Sequence, residues 1–169
     1  MLISWGPAHP VGLAGENEYT DLTFALPPPT DWPDKLNALL PPGLRLLAAF
    51  PIAENTPALM AAVDRADYTL ELAGAIDGPA IDKAIAELMA GQSHIVERNS
   101  PKGHKKADIR PALLSLTRAG TTLIYSCRLH AGSQPKPQEL IGAVAPGAQA
   151  ADFRRTAMYI ENQRPEAGG

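Results

Sequence analysis

The pattern of apolar and polar positions predicts strands and helices along the whole chain, most clearly after residue 67. Residues 68–72 alternate as a half-buried strand does, and a helix beginning at Asp77 and Pro79 follows, with apolar residues three and four positions apart. Two hairpins come next, at 94–109 and 112–130, each with turn residues between its strands. A short helix from Pro137 and a strand at 154–161 complete the order strand, helix, strands, helix, strand.

The first third of the chain repeats part of this order. Residues 16–26 alternate like a strand, Asp31 can begin a short helix, and residues 44–52 have the pattern of a second strand. A short helical connector at 55–66 follows. These elements predict an α+β fold of two tandem ferredoxin-like (split βαβ) modules. The first, residues 1–55, lacks its opening strand and helix, and the second, residues 67–162, is complete and carries an inserted basic hairpin.

The composition indicates a hydrophobic core that is large enough to fold without a disulfide bond. The chain has 169 residues, 45% of them hydrophobic and 20% charged, as is typical of soluble globular proteins. Its single cysteine, Cys127, excludes an internal disulfide and a thiolate cluster, and the alternation around it predicts a buried side chain. No apolar run is long enough to span a membrane, and the first ten residues do not resemble a signal peptide, so we expect a cytoplasmic protein.

The charges are divided unevenly between the two halves of the chain. Residues 1–84 contain four Lys or Arg and eleven Asp or Glu, a net charge of −7, whereas residues 85–169 contain eleven and seven, a net +4. The densest basic segment is 98–110, where Asp108 is the one acidic residue. Such a segment attracts polyanions, but it is equally typical of a solvated hairpin or of a surface that binds an acidic protein.

Few residues point to catalysis. The chain has no G-x-S-x-G, H-E-x-x-H or phosphate-binding glycine loop, and its four histidines, at 9, 94, 104 and 130, lack the spacing of metal ligands. We therefore expect no metal, no cofactor and no catalytic residue. The acidic residues Glu16, Glu18 and Asp21 fit acid–base chemistry or cation binding, but they also fit a solvated strand end or a salt bridge to the other module. Asp108 and Arg110 fit either a bond that fixes the exit of the hairpin or a binding role.

Three stretches carry a resemblance to a known family. They are I-S-W-G-P-A-H-P-V-G-L-A-G-E-N-E-Y-T-D-L at 3–22, K-K-A-D-I-R-P at 105–111 and R-R-T-A-M-Y at 154–159. Together they resemble the bacterial radical-SAM-linked protein family, a domain of unknown function found beside radical SAM proteins or fused to them. The resemblance implies a radical SAM protein as partner, with the radical chemistry located there. Because that family opens with a basic strand and helix before the first stretch, we expect an N-terminally shortened form.

We therefore predict a non-catalytic accessory domain that holds RNA or presents substrate through its basic residues. The candidate binding residues are Arg98, Lys102, Lys105, Lys106, Asp108, Arg110, Arg154 and Arg155. The later strands lack a clustered aromatic pair, so contact with a phosphate backbone is favoured over readout of bases. The alternative is a structural module that self-associates, as a homodimer, through its acidic and basic halves.

Overall fold

The chain folds as a mixed α+β protein in a computed structural model that describes residues 1–8, 12–100 and 103–160. In chain order, the elements of these residues are β1 (Leu2–Trp5), β2 (Ala14–Gly15), β3 (Thr20–Thr23), α1 (Trp32–Leu39), α2 (Leu59–Ala62), β4 (Val63–Ala73), α3 (Gly78–Ala90), β5 (Ile95–Ser100), β6 (Gly103–Asp108), a 3-10 turn (Arg110–Ala112), β7 (Leu113–Ala119), β8 (Thr122–Arg128), α4 (Pro137–Val144) and β9 (Gln149–Ile160).

Five strands form the main sheet, in the order β2-β9-β4-β8-β7. The four strands from β9 to β7 pair antiparallel, whereas β2 runs parallel to β9, so the sheet is mixed. Two helical connections, α3 between β4 and β7 and α4 between β8 and β9, give residues 63–160 the strand order of a split βαβ unit.

The core lies between this sheet and helices α3 and α4. Alternate residues of β4, such as Ala66, Tyr68 and Leu70, are buried against the apolar stripes of the two helices. Each buried leucine contributes about 1.5–3 kcal/mol through the hydrophobic effect. The buried position predicted for Cys127 is confirmed, and burial raises the pKa of its thiol to about 12, with a smaller contribution from the negative charge of Asp67.

Both predicted hairpins and the capped helix are confirmed. Strands β5 and β6 pair antiparallel from Ile95↔Asp108 to Ser100↔Gly103, and β7–β8 turns at Gly120, which has a φ of 62°. Asp77 accepts a hydrogen bond from the backbone N–H of Ala80 at 3.1 Å, as expected of a residue that caps a helix. The strand predicted at 68–72 is longer and covers Val63–Ala73.

The strand predicted at 44–52 is wrong. In the structure β1 pairs with β3 in a separate two-stranded sheet, and residues 44–52 form no strand. An alternating pattern becomes a strand only where a neighbouring strand accepts its backbone hydrogen bonds, and no strand of the described chain lies beside this segment. The first third therefore contains a hairpin and a helix, without the second strand of the predicted module.

Residues before Leu59 contribute little to the core. Among those that the structure describes, Leu13 is the one buried residue, and α1 has none. The exposed fractions of Leu2, Trp5, Leu26 and Leu39 are 74%, 67%, 79% and 83%. Several large apolar side chains of this part of the chain therefore lie at the surface of the protein.

Candidate functional site

The basic hairpin β5–β6 is attached to the rest of the protein by Arg98. Its Nε and Nη2 donate to the two carboxylate oxygens of Glu139, both at 2.7 Å, the two-pronged geometry of a strong guanidinium–carboxylate pair. Nη2 also donates to the carbonyl of Gln134 at 2.6 Å. Burial raises the pKa of Glu139, but the bonds from Arg98 and from the backbone N–H of Lys136 outweigh it, so the pKa lies below its usual value. Arg98 therefore anchors the hairpin to α4, and the Glu139 carboxylate neutralises the charge of Arg98.

Asp108 fixes the point where the hairpin ends. Its carboxylate accepts hydrogen bonds from the backbone N–H of His94 at 2.8 Å, the hydroxyl of Ser93 at 2.7 Å and the backbone N–H of Arg110 at 3.1 Å. These bonds lower the pKa of Asp108, the one from His94 most strongly. The predicted bond between Asp108 and Arg110 is present, but it runs to the backbone and not to the guanidinium.

The guanidinium of Arg110 instead donates to two backbone carbonyls. Nη1 donates to the carbonyl of Leu113 at 2.8 Å, and Nη2 donates to the carbonyl of Met89 at the end of α3, at 2.7 Å. Its Nε is buried without a hydrogen-bond partner among the described residues. Arg110 thus holds the hairpin exit against α3.

Two lysines of the hairpin are exposed to solvent. Lys105 lies opposite Arg98 and Lys106 lies opposite Glu97, so the two side chains point to opposite faces of the ribbon. Neither forms a salt bridge within residues 1–8, 12–100 and 103–160. Lys102 lies outside the described residues. The exposed positive charge of the described hairpin is therefore that of Lys105 and Lys106, less than the sequence of the segment predicts.

Arg155 lies on β9 and holds the N-terminal segment on the main sheet. Its side chain is 2% exposed, and its Nε donates to Glu18 at 2.8 Å while Nη2 donates to the other Glu18 oxygen and to the carbonyl of Pro7. Burial alone lowers the pKa of Arg155, but the Glu18 carboxylate reverses this, and the pKa lies above its usual value. A Cβ at Gly15 would collide with the Glu18 carboxylate, so this close approach requires glycine.

Arg154 makes a parallel but exposed connection. It forms ion pairs with Asp152 at 2.6 Å and with Glu16 at 3.4 Å, and its side chain is about half exposed. The backbone N–H of Glu16 donates to the carbonyl of Arg155 at 3.0 Å. Of the two structural interpretations of Glu16 and Glu18, the salt bridge to the later part of the chain is the one observed. We call this contact region, formed by Glu16, Glu18, Arg154 and Arg155, the clamp.

A cavity of about 200 Å³ adjoins the clamp. Leu13, Tyr68 and Phe153 provide apolar walls, and Arg155 and Lys136 provide positively charged ones. The rings of Tyr68 and Phe153 stack with their centroids 5.6 Å apart. Burial raises the pKa of the Tyr68 hydroxyl, and the Arg155 guanidinium acts in the opposite direction. The periodic pattern of β9 gave no sign of this cavity, because it arises where three distant segments meet.

Residues 1–138 match a family described as an uncharacterized protein conserved in bacteria (DUF2344). The chain belongs to DUF2344. No curated protein matches it. A solved structure of a Cbf5-Nop10-Gar1 complex is similar at 16% sequence identity with a TM-score of 0.37, over 60% of this chain and 33% of that chain. The DUF2344 chain thus spans about a third of the length of the solved chain that it matches.

Two of the stretches on which the sequence resemblance rests meet at the clamp. Residues 3–22 supply Glu16 and Glu18, and residues 154–159 supply Arg154 and Arg155. The DUF2344 match ends at residue 138, so the arginines of the clamp lie beyond it. The third stretch, 105–111, contains the exposed lysines and the exit of the hairpin. The short motifs therefore mark one internal contact and one surface ribbon.

No group of three or more His, Cys, Asp or Glu side chains suited to a metal ion occurs in the described residues, and His9 lies outside them. His104 is hydrogen bonded to Asn99, with 2.6 Å between Nδ1 and Oδ1. Nowhere in the part of the chain that the structure describes is there a helix with the length and apolar character to cross a membrane.

Proposed function

We propose that this DUF2344 chain is a non-catalytic accessory domain that works with a radical SAM protein in the cytoplasm. In this proposal it holds a polyanionic partner, RNA or an RNA-bound substrate, through the hairpin β5–β6. The radical SAM partner is taken from the resemblance of residues 3–22, 105–111 and 154–159 to the radical-SAM-linked family. The interpretation of residues 67–162 as a complete ferredoxin-like module belongs to the same proposal, whereas residues 1–55 lack the strand at 44–52 that a first module needs.

The observation that carries the proposal is the pair of exposed lysines on an anchored ribbon. Lys105 and Lys106 lie on β6, which pairs with β5 and with no other described strand, and their side chains are exposed on the two opposite faces of the ribbon, where each can contact a phosphate. Arg98 and Asp108 hold the ribbon in place at its two ends. A ribbon fixed in this way loses little conformational freedom on binding.

The remaining predicted binding residues have a different part in this proposal. Arg98, Asp108 and Arg110 support the ribbon, and Arg155 supports the clamp, because each is engaged with the protein itself. Arg154 is half exposed but is paired with two carboxylates. The direct contact therefore falls to Lys105 and Lys106, with Lys102 as the third cation of the segment.

Salt-dependent binding of fluorescently labelled tRNA tests this proposal. Each lysine that contacts a phosphate adds about 0.7–0.9 to the slope of log affinity against log salt concentration. We expect Lys105→Gln/Lys106→Gln to weaken binding at low salt and to reduce the slope by about 1.5. The matched control is Lys83→Gln, which removes an exposed lysine from α3. Equal affinities and slopes for the double variant and the wild type, or no saturable binding at low salt, would contradict the proposal.

The second candidate function is self-association, and the exposed apolar side chains before Leu59 favour it. The acidic first half of one copy and the basic second half of another provide complementary charges, while Leu26 and Leu39 provide apolar area. Light scattering across a range of salt concentrations tests this function. A dimer that Leu26→Ser/Leu39→Ser dissociates supports it, whereas a monomer at all salt and protein concentrations excludes it.

A further inference from the structure

We propose that the cavity beside Arg155 binds a small carboxylate with a flat, apolar body, of about the size of benzoate. The hairpin reaches this site through Arg98, which donates to the carbonyl of Gln134 in the cavity wall, but the site does not depend on the proposed contact with RNA. Its walls come from the N-terminal segment, the main sheet and the start of α4. Three observations lead to this class of ligand: the volume of the cavity, its charge and the arrangement of donors around Arg155.

The volume suits a single small ring. The cavity measures about 200 Å³. An apolar cavity of about 150 Å³ in another protein binds benzene, so a ring that carries one carboxylate fits this larger space. Leu13 and Phe153 lie on its apolar walls and can contact the ring. A nucleotide or a peptide is too large for it, which excludes the polyanions considered for the hairpin.

The charge of the walls favours an anion. Arg155 and Lys136 line the cavity, and no acidic side chain of the described chain does so. Glu18 neutralises much of the charge of Arg155, but Lys136 is exposed and forms no salt bridge within the described residues. A ligand carboxylate near Lys136 and Arg155 is thus attracted by a net positive charge in a partly enclosed space, where charge interactions are stronger than in bulk water.

The donors around Arg155 can orient the carboxylate. Nε and Nη2 are directed at Glu18 and at the carbonyl of Pro7, whereas Nη1 donates to neither of them. The Tyr68 hydroxyl lies within hydrogen-bonding reach of this guanidinium and lines the cavity beside it. The Tyr68 hydroxyl can donate its proton to a ligand carboxylate while it accepts from Arg155, and its ring already stacks with those of Tyr125 and Phe153. The ligand ring is therefore expected against Leu13 and Phe153, and not on Tyr68.

Titration with benzoate, followed by amide chemical shifts in NMR spectra, tests the site. For a ligand of this size we expect a Kd in the low millimolar range. The shifts should saturate and should be confined to the cavity walls, at Ala8, Tyr68 and Cys127 and at residues 12–14, 134–138 and 153–155. Benzamide has the same shape without the charge, and we expect it to bind at least about fivefold more weakly, because it loses the attraction to Lys136 and Arg155.

Two variants complete the experiment without disturbing the clamp. Lys136→Gln should weaken benzoate binding about threefold to fivefold, whereas the matched Lys83→Gln should leave it unchanged. Ala8→Trp places a large side chain at the exposed end of the cavity wall and should abolish the shifts. No saturable shifts, shifts elsewhere in the protein, or equal binding of benzamide and benzoate would overturn the proposal. Lys105→Gln/Lys106→Gln should bind benzoate like the wild type, which separates this site from the hairpin function.

Discussion

Replacement of Glu18 by glutamine should destabilise the protein far more than the same change at Glu16, two positions away. Both carboxylates bind neighbouring arginines of β9, but Arg155 is 2% exposed and Arg154 is 49% exposed. Glutamine preserves the shape of the side chain and removes its charge. The comparison therefore isolates the effect of burial on two ion pairs of the same chemical type.

The expected loss of stability can be worked from the contacts of Arg155. Glu18 accepts two charge-assisted bonds from it, and the glutamine oxygen can accept one of them. A hydrogen bond to a charged group contributes about 1.5–3 kcal/mol. Removal of one partner of a fully buried pair costs about 3–5 kcal/mol, but Glu18 is a third exposed, so water compensates in part. We expect a loss of about 2 kcal/mol for Glu18→Gln and at most about 0.5 kcal/mol for Glu16→Gln.

Thermal denaturation followed by circular dichroism measures the difference. In a chain of this length, 1 kcal/mol lowers the Tm by about 2–4 °C, so Glu18→Gln should lower it by about 4–8 °C and Glu16→Gln by about 1 °C. Amide hydrogen exchange locates the effect, because the N–H of Glu16 is bonded to the carbonyl of Arg155 and should exchange faster in the Glu18 variant. Equal Tm values for the two variants would refute the argument from burial.

Four further outcomes follow from other contacts. Arg98→Leu should destabilise the protein by about 1–2 kcal/mol in urea denaturation, since it leaves the 12%-exposed Glu139 without its partner, and an unchanged midpoint would contradict the anchoring role. The pKa of Asp108 is lowered in the folded protein, first by the N–H of His94. The Asp108 carboxylate therefore stabilises the fold above the ordinary aspartate pKa of about 3.9, and this stabilisation is lost as the pH falls through the pKa of the folded protein. Asp108→Asn should make the stability less sensitive to acid, which Tm values measured from neutral pH downward can check. If the sign is wrong, the Tm values of the variant and of the wild type would decline in parallel. Asp77→Ala removes the 3.1 Å bond to Ala80 and should cost about 1 kcal/mol, which thermal denaturation can check against Asp77→Asn, whose side-chain oxygen can still cap the helix. Cys127 should react with a thiol reagent at pH 8 much more slowly in the folded than in the urea-unfolded protein, because its thiol is buried and has a pKa of about 12, and equal rates would exclude the buried position.

The sequence predicted the second part of the fold well because its signals are local. The Asp77 cap, the alternation around Cys127 and the turns of both hairpins depend on residues a few positions apart. The strand expected at 44–52 failed because strand formation needs a neighbour, which the pattern of one segment does not report. β1 was absent from the prediction since Leu2–Trp5 is short, and its four residues are all exposed.

The candidate sites were less predictable, because they depend on which distant residues meet. Arg154 and Arg155 are adjacent in sequence and equally basic, yet one lies in solvent and the other beneath the N-terminal segment. A bulge between the partners of Asp67 and Tyr68 shifts the register of β9 beside Arg155, and a period-two pattern contains no sign of it. Gly15, three residues before Glu18, was the available signal, since a glycine permits that close approach.

The clamp also affects the order in which the protein can form during its synthesis. Strand β9, which holds Arg154 and Arg155, is the last element of the described chain and lies between β4 and β2 in the sheet. While the ribosome is still producing the residues before 149, β4 has one unpaired edge and Glu18 has no arginine to bind. The N-terminal segment can therefore bind to the sheet only after β9 has been made. A chain that stops before β9 leaves both an open sheet edge and an uncovered apolar segment available to other molecules.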